Sequence, residues 1–379
     1  MTYYAQTMPG VEEIAWLEIR DRLKNPHFLR YLFAKEQNGI VVFDYPGPAQ
    51  ELLRLRTTED VFSQIAYAEN LTRLRRDLRG LGELVEKSEG VGRAVNDYLR
   101  IRRFSAPPTF RVITRQYGKF EYTRKNLTET IWRALKARYP RWTPVADDAQ
   151  VEFWANLLGS QFLLGARLSD RTMRHRFERK VELPAALRPS VAAAMVLLTE
   201  PRPDDVFLDP MAGSGTILYE RMQAGPYGRI LGGDIEPERV DAARKNVRGG
   251  RKKPTAGDTS QPDIRQWDAR QLPLPDASVD KVACNLPFGK QLRAAEQPAK
   301  LYPPVLAELE RVVRPGGRIV LLSSEFDLVK ETVRQRPRLS ITTGYSVAVL
   351  GTWGRIYICL LYTSPSPRDR TRSRMPSSA

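Results

Sequence analysis

The stretch that most constrains the fold is Asp209–Thr216, DPMAGSGT, set between an apolar burst at Val206–Leu208 and a helical pattern at Thr216–Gln223. Gly213 and Gly215 let a chain turn sharply there and let its backbone approach a ligand closely. Strand, glycine-rich turn and helix in that order open a doubly wound α/β unit. The pattern then continues. Further bursts at Arg229–Gly232, Ile264–Trp267, Val279–Ala283 and Gly317–Leu322 are separated for the most part by helical patterns at Pro237–Val247 and Tyr302–Val313. No Gly-Lys-Ser/Thr follows the glycines, which rules out a nucleoside-triphosphate phosphate loop. The third glycine of a dinucleotide fingerprint is also missing. Residues 249–262 form a polar Gly/Lys/Pro/Thr segment that reads as a loop.

The next strand ends complete a ligand site. Gly232–Gly233–Asp234–Ile235 puts a carboxylate at the carboxyl edge of the second strand, where it can accept hydrogen bonds from both ribose hydroxyls of an adenosine. The third strand ends in Asp268–Ala269, within reach of an adenine amine. A glycine loop and two acids on three successive strand ends resemble the class I methyltransferases. That resemblance implies S-adenosylmethionine as cofactor, bound by Asp209, Met211, Ala212, Gly213, Ser214, Gly215, Thr216, Asp234, Ile235, Asp268 and Ala269.

The fourth strand runs into Asn285–Leu286–Pro287–Phe288–Gly289. This resembles the Asn/Asp-Pro-Pro-Tyr/Phe motif of methyltransferases acting on exocyclic base amines, and the chemistry explains the residue types. An aromatic amine is a poor nucleophile because its lone pair is delocalised into the ring. The Asn285 side-chain oxygen and the Leu286 carbonyl can accept its two N–H bonds and turn the lone pair toward the methyl donor. Pro287 stiffens the turn, and Phe288 is expected to offer a face to a flipped-out base. Transfer is a direct in-line displacement achieved mainly by positioning, and Cys284 reads as a core residue. The Asn-Leu-Pro-Phe-Gly version resembles the guanine-N2 enzymes more than the adenine-N6 enzymes.

Composition narrows the partner. Lys and Arg number 60 against 44 Asp and Glu, a formal charge of +16, which draws a chain toward polyanions. Two cysteines make neither a disulfide framework nor a zinc quartet. Two histidines, His27 and His175, leave no multi-histidine metal site. No apolar run is long enough to span a bilayer. Glu12 and Glu13 fall where a secretory signal would be apolar, so a cytoplasmic location and no bound metal are expected.

The front half carries the remaining resemblances. Residues 110–171, with Phe110–Arg111–Val112, Arg115, Gly118, Phe120, Asn126, Val151–Phe153 and Leu164–Arg167, resemble a THUMP domain, an RNA-binding module of tRNA-modifying enzymes. Ala5–Glu12 resembles the start of the ferredoxin-like domain that precedes it, and Arg174–Lys180 with Pro184–Ser190 resembles the joining segment of guanine-N2 methyltransferases. The expected organisation is a ferredoxin-like domain at 1–60, a THUMP domain at 61–170, a basic linker and helix at 171–200, and a Rossmann-like methyltransferase domain at 201–358. Arg115, Lys119, Arg124, Lys125, Arg174, Arg176, Arg179 and Lys180 are the expected RNA contacts. The last stretch, Cys359–Ala379, is rich in Ser, Pro and Arg, lacks periodicity and coincides with a translated sequencing adapter. It is expected to be disordered, with the native chain cut off near its last strand. Removing it leaves the excess of positive charge in place. The function implied is that of a monomeric tRNA methyltransferase acting on N2 of a guanine, at position 6 of the acceptor stem. An rRNA guanine, guanine 10 of tRNA, and adenine-N6 of DNA remain the alternatives.

Overall fold

The structure is a computed structural model that describes residues 1–33, 39–102, 107–177, 179–184, 186–249, 261–288, 297–349 and 351–363. The chain divides into two compact units, Met1–Arg174 and His175–Ala379.

The first unit contains β1 (Thr2–Gln6), α1 (Glu12–Arg22), β2 (His27–Leu32), β3 (Ile40–Asp44), a 3-10 turn (Ala49–Arg54), β4 (Asp60–Ala68), α2 (Asp77–Lys87) and α3 (Gly90–Ile101). It continues through β5 (Thr109–Tyr117), α4 (Arg124–Arg138), the two-residue β6 (Thr143–Pro144), β7 (Val151–Leu158), β8 (Gln161–Arg167) and the short α5 (Arg171–Arg174). Its eight strands form one sheet in the order β2-β3-β1-β4-β8-β7-β5-β6. The boundary expected at residue 60 falls where β4 begins, and β4 pairs antiparallel with β1 on one side and β8 on the other. Both expected front domains thus contribute to a single sheet. One core lies around Tyr3, Val41, Phe43 and Val61, and another around Phe110, Leu127, Ile131 and Phe153. α2 begins only at Asp77. The Asp77 carboxylate instead accepts from the backbone N–H groups of Thr72 and Arg73 and from the Thr72 hydroxyl, holding residues 72–76 in an irregular turn.

The second unit opens with α6 (Pro189–Leu198), which is buried nearly all round, as its Ala/Val/Met/Leu composition requires. Pro189 sits in its first turn, where no N–H is needed. Then follow β9 (Val206–Asp209), α7 (Thr216–Gln223), β10 (Arg229–Asp234), α8 (Pro237–Gly249), β11 (Asp263–Gln266), β12 (Val279–Asn285), α9 (Pro298–Val312), β13 (Val313–Ser323), α10 (Phe326–Arg334), β14 (Leu339–Val349) and β15 (Thr352–Leu361). The sheet order is β11-β10-β9-β12-β13-β15-β14. The first five strands are parallel, and β15 and β14 close the edge as an antiparallel pair. Strand order reverses direction at β9, between β10 and β12, and in such sheets ligands bind at the carboxyl ends beside that point. Val282, Leu306, Leu309, Ile319 and Leu321 are fully buried in its core.

The C-terminal expectation needs one correction. Cys359–Leu361, read as the start of a disordered tail, complete β15. Cys359 pairs with Ile319 and Ile341, and Leu361 with Leu339; both side chains are buried. The continuous apolar run Ile356–Leu361 satisfies a largely buried strand whatever its origin. The rest of the proposed adapter segment, from residue 364, lies outside the described residues. No described helix is long and apolar enough to cross a membrane.

Candidate active site

The glycine loop after β9 is held by its neighbour strand. Ala212 N–H donates to the Gly233 carbonyl at 2.8 Å, and Gly213 N–H to Asp234 Oδ2 at 3.0 Å. Gly215 has φ +82°, and a Cβ there would come within 3.0 Å of Val247 and 3.2 Å of the Ala243 backbone. Gly233 is required for a different reason: a Cβ would overlap the Trp267 ring at 2.2 Å. That ring donates its Nε1–H to the Pro210 carbonyl at 3.1 Å, so the third strand end is tied to the first loop.

These loops surround a cavity of about 480 Å³, a volume within the range of small-molecule and cofactor sites. Asp209, Met211, Ala212, Gly213, Ser214, Thr216, Asp234, Ile235, Asp268, Ala269, Asn285 and Pro287 line it, so the structure brings together most of the residues singled out from sequence. Gly215 supports the loop without lining the cavity. Leu286 is fully buried, and Phe288 is only 3% exposed. Phe288 is thus shielded and is absent from the cavity lining, where an open stacking face was expected. Gly289 lies outside the described residues.

Three carboxylates behave differently. Asp209 is buried, and burial pushes its pKa up to about 8; a bond from Met211 N–H pulls it down and the Asp234 charge adds a smaller push upward. Asp234 is raised mainly by burial, against bonds from Glu236 and Gly213 N–H groups. Asp268 is held below the ordinary range by Arg270, whose guanidinium grips both its oxygens at 2.6–2.9 Å. Arg270 thus occupies the carboxylate expected to meet an adenine amine. Because the folded pKa of Asp209 lies above the ordinary unfolded value near 3.9, its contribution to stability is fully present below that value. It is lost as pH climbs toward about 8. Asp209→Asn escapes this loss, so its melting temperature relative to wild type should be higher at pH 9 than at pH 5.5. Thermal melts across that range giving a constant difference would refute the assignment.

At the end of β12, Asn285 Oδ1 is buried and accepts no hydrogen bond among the described residues. An unmet buried acceptor costs about 1–3 kcal/mol, and this one belongs to a residue that lines the cavity.

Sequence reasoning missed the far wall. Leu183, Pro184, Ala186 and Leu187 line the cavity. Their segment is fastened by Asn246 on α8, whose Oδ1 accepts from Val181 N–H at 2.9 Å. Its Nδ2 donates to the Val181 carbonyl at 3.0 Å and the Ser214 carbonyl at 3.1 Å. Asn246 is fully buried on a helix that otherwise reads as charged and solvated, and that burial of an amide was not visible in a periodicity count.

Half of the expected RNA contacts face inward instead. Arg174 pairs with the buried Asp60, and Arg176 with the buried Glu220. Arg179 donates to the Leu187 carbonyl at 2.7 Å and lies 3.4 Å from Thr216 Oγ1. Arg115 lies over the Trp154 ring at 4.3 Å, and burial lowers its pKa. Each cation is consumed by a buried carboxylate, carbonyl or ring, which a one-dimensional charge count cannot anticipate. Lys119, Arg124, Lys125 and Lys180 remain exposed. Arg124 and Lys125 occupy the first turn of α4, where positive charge opposes the helix dipole, so helix stability does not explain them.

Among the described residues, no cluster of three or more His, Cys, Asp or Glu side chains is placed to hold a metal ion. Residues 176–353 match the model of the RMKL-like methyltransferase domain. The chain is similar to the mouse tRNA (guanine(6)-N(2))-methyltransferase THUMP3, at 31% identity over 222 residues, which are 57% of this chain and 44% of that protein. It thus spans less than half the length of that relative. It is also similar to the tRNA (guanine(6)-N2)-methyltransferase of Thermus thermophilus, at 29% identity over 66% of this chain and 72% of the other. The crystal structure of TrmN from Thermus thermophilus shares its fold, with a TM-score of 0.72 at 24% identity, covering 95% of this chain and 99% of that one. The second unit thus has the Rossmann-like fold of the class I methyltransferases, with a cavity at its switch point, and residues 176–353 within it match the model of the RMKL-like methyltransferase domain.

Proposed function

We propose that this protein transfers a methyl group from S-adenosylmethionine to the exocyclic N2 of a guanine in tRNA, with position 6 of the acceptor stem as its target. The observation that carries this reading is the buried, unpartnered Asn285 Oδ1 at the cavity. An amine N–H is the group that satisfies it. The cavity also fits the cofactor: Gly213 lines it with φ +51° and open space where a Cβ would stand, and Asp234 stands at the strand end suited to ribose hydroxyls. When bound, S-adenosylmethionine supplies a sulfonium methyl group for direct displacement by the guanine nitrogen.

The chain's own residues hold and orient. Asn285 Oδ1 and the Leu286 carbonyl accept the two amine N–H groups and direct the nitrogen lone pair. Asp209, Met211, Ala212, Gly213, Ser214 and Thr216 seat the amino-acid end of the cofactor, and Ile235 and Ala269 flank its base. On accepting the methyl group that leaves sulfur, the amine nitrogen gives up one proton to solvent. Lys119, Arg124, Lys125 and Lys180 supply phosphate contacts, which position the RNA without reading its sequence. The protein acts in the cytoplasm as a monomer.

The similarity to enzymes named for guanine 6 of tRNA supports this target over guanine 10, an rRNA guanine or a DNA adenine. Purified protein, methyl-labelled cofactor and total tRNA, followed by nucleoside analysis and mapping, test it directly. Label in N2-methylguanosine at position 6 is expected. Label in N6-methyladenosine or none in tRNA would overturn it.

A further inference from the structure

The turn that ends β12 rests on a directional chain of neutral hydrogen bonds outside any motif. Glu325 N–H donates to Ser323 Oγ at 2.9 Å. Ser323 Oγ lies 2.9 Å from Tyr302 Oη, which in turn donates to the Pro287 carbonyl at 3.0 Å. The direction is fixed at both ends, because a backbone N–H can only donate and a carbonyl can only accept. Tyr302 has one hydroxyl proton and gives it to Pro287, so the Ser323 proton must point to Tyr302. Both side chains are fully buried. Burial keeps the Tyr302 phenol far above its usual range, so it stays a neutral donor. In such surroundings each bond polarises the next.

The consequence falls on the turn. Leu286 N–H donates to the Leu322 carbonyl at 3.0 Å, so the segment is pinned before Leu286 by one bond and after it by Tyr302. The acceptors of this turn include Asn285 Oδ1 and the carbonyls of Leu286 and Pro287. Pro287 has no N–H, and its carbonyl is its one backbone polar group. Tyr302 engages that carbonyl, so the turn is held while Asn285 Oδ1 and the Leu286 carbonyl stand beside it for the two N–H groups of an amine.

We propose that Tyr302 is a positioning residue for methyl transfer: backed by Ser323, it occupies the Pro287 carbonyl and fixes the turn so that Asn285 Oδ1 and the Leu286 carbonyl receive the substrate amine. This rests on the amine-methylation reading above. Tyr302 touches neither substrate nor cofactor, so its effect belongs to turnover and not to binding.

The full chain is assayed as wild type, Tyr302→Phe, Ser323→Ala and the double variant, with tRNA as substrate and S-adenosylhomocysteine as the binding probe. Tyr302→Phe deletes one oxygen and should lower kcat by about tenfold, with KM for tRNA and the S-adenosylhomocysteine Kd within twofold of wild type. Ser323→Ala should lower kcat less. The double variant should be no worse than Tyr302→Phe alone, because the chain is already cut. A Tyr302→Phe kcat within twofold of wild type, at a temperature where both are folded, overturns the proposal. So do losses that multiply in the double variant. Should Tyr302→Phe fail to fold, Ser323→Ala decides, and an unchanged kcat there overturns the proposal. A wild-type protein that binds S-adenosylhomocysteine but methylates no amine in tRNA overturns the underlying reading instead, and this proposal with it.

Discussion

Replacing Asn285 by alanine is expected to lower turnover by roughly 10²–10³-fold, the size seen when one preorganised polar group aimed at a reacting centre is lost. Cofactor affinity should change little, because the Asn285 oxygen faces the substrate side of the proposed chemistry. The folded state should not suffer either. Among the described residues Asn285 Oδ1 is buried without a partner, so its removal deletes a desolvated group and not a satisfied bond. Loss of activity with unchanged or raised melting temperature is an unusual combination, and it separates a functional polar atom from a structural one. Single-turnover rates and thermal melts on the same preparation check both halves. Normal turnover in Asn285→Ala would remove the catalytic assignment.

Asp234→Ala should act on the opposite side of the cavity. Each hydrogen bond between a carboxylate and a ribose hydroxyl is charge-assisted and worth about 1.5–3 kcal/mol, so binding of S-adenosylhomocysteine should weaken by about 10- to 100-fold or more. Asp234 also accepts from Gly213 and Glu236 N–H groups, so part of the loss would come from a loosened glycine loop. Asp234→Asn separates the two effects. It can still accept one of these bonds, and it keeps the side-chain volume while removing the charge. Calorimetric titration should place it between wild type and Asp234→Ala. An unchanged affinity in Asp234→Ala would take this residue out of the cofactor site.

The strand ends of the second unit were readable because their signals are local. A glycine turn, an acid and an Asn-Leu-Pro turn each follow an apolar burst within a few residues, and parallel topology puts those ends on one edge. The first unit was less legible. β2 is half-buried along most of its length and shows no clean alternation, and α3 opens on Gly90, a poor helix former. Side-chain direction was the larger gap. Arg174 meets Asp60 across 114 residues, and Arg176 meets Glu220 across 44, so neither partnership leaves a trace in nearby sequence. Phe288 was placed in the right turn but expected to be open where it is shielded, because a turn residue has no periodicity from which to infer burial. Cys359–Leu361 were misjudged because resemblance to a foreign coding sequence outweighed the continuous apolar run Ile356–Leu361 that was in plain view.

The Asn246 tether changes what counts as the enzyme's edge. A segment that reads as a bridge between two modules is, from Val181 to Leu187, masonry of the cofactor chamber itself. An excision placed by motif at the helix beginning with Pro189 would remove one wall and leave the buried Asn246 amide without its Val181 partners. Transplanting the second unit onto another module therefore means carrying the joining segment along from His175. Retargeting by exchange of the front unit alone has its natural splice point at Arg174.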